Sequence, residues 1–63
     1  MDQPHELLKF FDYGHLPEHL QQVSRPFHAL ATRILELTNA GNEQDMALRK
    51  LLEAKDCAVR AKL

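Results

Sequence analysis

Apolar residues recur at Leu20, Val23, Phe27, Leu30, Ile34 and Leu37, at alternating spacings of three and four that mark one face of an α-helix. The register runs unbroken through Arg25-Pro26, so the helix predicted from about Pro17 to Asn39 carries a proline in its interior. Such a proline deletes one backbone hydrogen bond and crowds the preceding turn, at about 3 kcal/mol, and a kink is expected there. Pro17 reads as the first helical residue, where a missing N–H has no helical partner to lose.

Asn39-Ala40-Gly41 is expected to close this helix, with Gly41 taking the left-handed conformation that helix ends favour. Asn42 then opens a second helix as its cap, and Asp45 adds negative charge where the helix dipole welcomes it. This helix is predicted from Glu43 nearly to Lys62. Ala47, Leu51, Ala54, Ala58 and Ala61 form a seam of mostly small residues, which Phe27, Leu30 and Ile34 are expected to fill across an antiparallel hairpin. Leu48, Leu52, Val59 and Leu63 form a further apolar row about 100° round the same helix. A two-helix hairpin cannot cover both rows, which argues for contacts between copies.

Upstream, His5-Glu6-Leu7-Leu8-Lys9 reads as a short helix with Asp2 as cap and Pro4 in its first turn, broken by Tyr13-Gly14. The predicted fold class is all-α: a short N-terminal helix plus an antiparallel helical hairpin, one domain over residues 1–63, assembled as a homo-oligomer.

Composition changes this picture little. A chain of 63 residues has a thin core and is usually reinforced by disulfides, metal or association. Cys57 is the only cysteine, so no intrachain disulfide forms, and association remains. A formal charge of −1 argues against a protein that coats a DNA or RNA polymer, while allowing a local anion pocket. Met1 to Glu6 is acidic and lacks the basic and apolar parts of a signal peptide, and no apolar run is long enough to span a bilayer. A cytoplasmic location is expected, without membrane contact.

Several residues suggest chemistry. His15 and His19 are four apart, but Leu16-Pro17 leaves His15 outside the helix and no third ligand accompanies them, so no metal site is expected. Ser24 and His28, one turn apart, resemble a nucleophile and its base. They lack an oxyanion hole and an orienting acid, and Ser24 has an easier role capping at the Pro26 kink. No catalytic residue and no cofactor is predicted. The mixed charges Arg49, Lys50, Glu53, Lys55, Asp56 and Arg60 read as a solvated face. Tyr13 and Arg25 admit two readings: a half-buried loop anchor beside a solvent-facing arginine, or a clamp for a flat anionic ligand. In the second, a nucleobase stacks on the ring and arginine forks onto a phosphate, with Phe11, His15 and His28 as further walls.

Phe11-Asp12-Tyr13-Gly14, His15-Leu16-Pro17-Glu18-His19-Leu20-Gln21, Gln22-Val23-Ser24-Arg25-Pro26-Phe27 and Ala47-Leu48-Arg49-Lys50-Leu51-Leu52-Glu53-Ala54-Lys55-Asp56 cover most of the chain. Together they resemble the helical hairpin domain of phage anti-CBASS sponges, which, like the functionally related anti-Thoeris sponges, sequester cyclic nucleotide immune signals. The resemblance implies a homo-hexamer that holds cyclic dinucleotides, and cyclic trinucleotides in a separate pocket, without cleaving them, in the cytoplasm of an infected bacterial host. It also implies that Tyr13 and Arg25 take the roles of the family's loop tyrosine and of the basic residue at the helix kink. The stretch between them is about one helical turn shorter here than in some members. Arg33 and Arg60 are the cations open to the second pocket. Without the resemblance, the residues equally permit a small helical module that docks its apolar row onto a host or phage protein.

Overall fold

The computed structural model describes residues 5–63. A 3₁₀ helix, Glu6–Phe11, leads to α1, Glu18–Leu37, and a tight turn reverses the chain into α2, Asn42–Lys62. The two long helices form a hairpin, and the 3₁₀ helix packs on both. The expected cap at Asp2 and the first-turn Pro4 lie outside the described residues.

The 3₁₀ helix is capped by His5, whose Nδ1 accepts from the Leu7 N–H at 3.0 Å. That leaves Nε2 to carry the ring proton, which it donates to Asp45 Oδ1 at 2.6 Å in the first turn of α2. One imidazole thus ties the two elements together. Three residues per turn bring Leu8 and Phe11 into line, and both point inward, Phe11 completely buried.

Each element gives the core one fully buried apolar residue: Phe11, Ala31 and Leu48. Leu7, Leu8, Phe27, Ile34, Leu35, Leu51 and Leu52 pack around them. The inward face of α1 therefore follows Leu20, Ser24, Phe27, Ala31 and Ile34. It shares Leu20, Phe27 and Ile34 with the face expected from sequence but is rotated away from Leu30 and Leu37, which are 48% and 65% exposed.

The matching correction falls on α2. Leu48 is buried and Leu51 and Leu52 pack beside it, whereas Ala47, Ala54 and Ala61 of the expected seam face outward. A small residue does meet large ones across the hairpin, as close packing requires, but it lies on α1: Ala31 packs with Leu48 of α2 and Phe11 of the 3₁₀ helix. Of the row Leu48, Leu52, Val59 and Leu63, the chain itself buries Leu48 and partly covers Leu52 and Val59, while Leu63 is left open. The large apolar residues left open are Phe10, Leu30, Leu37, Met46 and Leu63.

α1 runs continuously through Pro26. It begins one residue later than expected, with Pro17 as N-cap; the Pro17 carbonyl accepts from Leu20 and Gln21 at 2.9 and 3.0 Å, and Gln21 Nε2 donates to the Leu16 carbonyl at 2.8 Å. At the hairpin turn, α1 stops at Leu37 with Thr38 as C-cap. Gly41 sits at φ 151° and ψ −174°, outside the left-handed helical region, and serves as N-cap of α2. Asn42 is the first helical residue and is not the cap, and the N-cap makes no side-chain hydrogen bond. Gln44 holds the turn instead: its buried Nε2 donates to Thr38 Oγ1 at 3.0 Å, and Thr38 Oγ1 donates to the Ile34 carbonyl at 2.7 Å. Among the described residues no helix is long and apolar enough to cross a membrane.

Candidate functional site

Between the 3₁₀ helix and α1 the chain makes a turn in which the Leu16 N–H donates to the Tyr13 carbonyl at 3.0 Å. This turn lays Tyr13 against the middle of α1. The Arg25 guanidinium carbon lies 5.3 Å from the centre of the Tyr13 ring, over its face. The His28 ring stands nearly perpendicular to Tyr13, at 81°, with 5.7 Å between centroids. Arg25 and His28 are three apart on α1 and flank Pro26, so one short stretch of helix holds the tyrosine from two directions.

Asp12, Tyr13, Gly14, His15 and His28 line an open groove of about 490 Å³. That volume falls within the range of small-molecule sites, roughly 300–1,000 Å³. An aromatic face, a cation beside it and a groove alongside can accept a flat ring and an attached anion. Arg25 is exposed and makes no ion pair among the described residues, so its donors are uncommitted.

Of the five residues expected from sequence, Tyr13, Arg25, His15 and His28 converge here. Phe11 does not: its ring is buried at the centre of the core, and the neighbouring Phe10 is the exposed phenylalanine. Adjacent phenylalanines at the end of a 3₁₀ helix cannot both face inward, and sequence alone did not separate them. Asp12, which also lines the groove, was passed over although it adjoins Tyr13. Its carboxylate gives the groove an acceptor of hydrogen bonds.

A second groove, about 200 Å³, lies between the 3₁₀ helix and the end of α2, where Phe10, His15, Lys55 and Arg60 are among its walls. Lys55 pairs with Asp56 at 2.9 Å, and Arg60 Nη2 donates to Cys57 Sγ at 3.3 Å. Arg33 is elsewhere, paired with Glu36 at 3.2 Å on the surface. Asp12 and His15 form part of both grooves.

Ser24 and His28 do not form a nucleophile and base. Ser24 is fully buried and its Oγ has no hydrogen-bond partner among the described residues, while the imidazole packs on Tyr13. Nor does Ser24 cap the backbone at Pro26. His15 and His19 are both exposed, and no group of three His, Cys, Asp or Glu suited to a metal occurs among the described residues. Compared with protein-family models, curated proteins and solved structures, the chain matches none.

Proposed function

We propose that this chain is a non-enzymatic sponge, a homo-oligomer that binds cyclic di- and trinucleotide immune signals and withholds them from a host effector during phage infection. The observation that carries the reading is the Tyr13 ring with Arg25 over it at 5.3 Å, beside an open groove. In the bound state Tyr13 stacks on a base and the Arg25 guanidinium forks onto a phosphate, the combination by which proteins hold unpaired nucleotides. His15 supplies a further polar wall of the groove, and His28, also on its lining, packs against the Tyr13 ring. The sequence resemblance to anti-CBASS sponges supports the same assignment.

Assembly is part of this reading, and the site's openness supports it. An open groove leaves much of a cyclic dinucleotide in water, and the second groove, at about 200 Å³, is smaller than a typical small-molecule site. Further copies would add walls, the exposed Leu30 and Leu37 offer apolar surface for contact between them, and a hexamer is the assembly that the resemblance implies. No step of bond cleavage is assigned to any residue. The protein works in the cytoplasm of the infected cell, where such signals are made.

Calorimetric titration of the purified protein with a panel of cyclic di- and trinucleotides, followed by heat release and mass analysis, tests this reading. Nanomolar binding with the ligand recovered intact is expected. The uncovered Leu30, Leu37 and Met46 favour a second reading, a module that docks on a host or phage protein. No heat with any cyclic nucleotide, together with a monomer that copurifies with another protein, would select it.

A further inference from the structure

Tyr13 lies in a loop, and a loop tyrosine that must stack on a base has to hold its ring in one plane. Two side chains hold it: Arg25 over the face and His28 perpendicular to it, at 5.3 and 5.7 Å. Their tasks differ. Arg25 is exposed, and its guanidinium leaves the ring when it turns to a phosphate; His28 is half-buried on the same helix and stays edge-on to the ring.

We infer that His28 is a positioning residue of the ligand site, whose ring fixes the plane of Tyr13 before and after Arg25 engages the ligand. Perpendicular packing is a preferred arrangement for aromatic pairs and resists rotation of either ring. It acts from α1, beyond Pro26, so the loop borrows the rigidity of the helix. A platform fixed in advance does not have to be ordered at the moment of binding, and its loss appears as weakened affinity with the contacts themselves retained. The inference rests on the sponge reading, because it supposes that Tyr13 stacks on a base.

The chain has one tyrosine and no tryptophan, so its intrinsic fluorescence reports Tyr13 alone. Time-resolved anisotropy of the ligand-free protein is compared for wild type, His28→Ala and His28→Phe, with circular dichroism and light scattering confirming equal helicity and assembly. His28→Ala is expected to add a fast ring motion absent from the other two. Titration with 3′,3′-cyclic di-AMP and 3′,3′-cyclic GMP–AMP is then expected to show His28→Ala weakened about three- to tenfold and His28→Phe close to wild type, as the energy of one aromatic pair dictates. Unchanged ring motion in His28→Ala, or no recovery in His28→Phe, would overturn the inference. If the wild type binds neither probe, the sponge reading is in error, and the anisotropy comparison still decides whether His28 holds the ring.

Discussion

Tyr13 and Arg25 meet in a cation–π contact worth about 0.5–1 kcal/mol at an exposed site, too little to explain a fixed loop but enough to keep the two groups together. Their larger contribution comes when a base arrives, since stacking on an aromatic ring is worth about 1–3 kcal/mol per base. Tyr13→Ala and Arg25→Ala are each expected to weaken cyclic dinucleotide binding by about tenfold or more on that basis, with helicity and assembly unchanged. Calorimetry on both variants checks this, and full affinity in both would remove the site. Ser24 gives a prediction of the opposite sign. Its buried hydroxyl has no partner among the described residues, so Ser24→Ala deletes an uncompensated polar group and adds helix propensity. The variant should be more stable by about 1 kcal/mol in urea denaturation, and a destabilised variant would point to a hydrogen bond at Ser24. At this scale the sequence was legible where neighbours in the chain are neighbours in space. Arg25 and His28 could be placed together because they share a helix. The His5 link to Asp45 could not be foreseen, because it spans 40 positions and is settled by packing.

Among the elements, α1 carries the most information about the site. Pro26 interrupts its hydrogen-bond ladder between the two residues that hold Tyr13. Pro26→Ala restores the missing N–H and should stabilise the helix by up to about 3 kcal/mol, while moving Arg25 and His28 relative to the loop and lowering ligand affinity. Thermal melts paired with titration separate the two effects; unaltered affinity would show that the proline does not shape the site. The turn offers a complementary case. Gly41 sits at φ 151°, which residues with side chains rarely adopt, and a methyl group there meets no neighbouring atom. Gly41→Ala should therefore destabilise the hairpin by backbone strain alone, by about 1–3 kcal/mol in a denaturant titration. The helices themselves were readable from period and punctuation, and their boundaries fell within two residues of those expected. Their rotation was not readable. The pattern of large apolar residues favoured Leu30 and Leu37, whereas Phe11 and Leu48 pack with the small Ala31.

For the whole molecule, the core is small: three fully buried apolar residues, one from each element, with a partly covered shell. A domain of this size is marginal alone and gains from association. The chain covers only the front of the apolar row on α2, burying Leu48 and leaving Leu63 open, and Leu30, Leu37 and Met46 add further open apolar surface on which the proposed assembly rests. Leu37→Glu is accordingly expected to shift the protein toward monomer in light scattering at micromolar concentration without loss of helix. A wild type that is itself monomeric there would contradict assembly through this face. The candidate site was legible as far as Tyr13, Arg25, His15 and His28, because a short aromatic loop that leads straight into a long helix leaves few places for them to go. Phe11 was misplaced because the alternation of two adjacent phenylalanines depends on the exact winding of the 3₁₀ helix.

The measurement that bears most directly on the central claim is titration of the wild-type protein with 3′,3′-linked cyclic dinucleotides, following Tyr13 fluorescence and heat together. A sponge predicts saturable nanomolar binding, a change in the emission of the single tyrosine as a base stacks on it, and intact ligand on release. Neither heat nor any change in Tyr13 emission at micromolar ligand would contradict it.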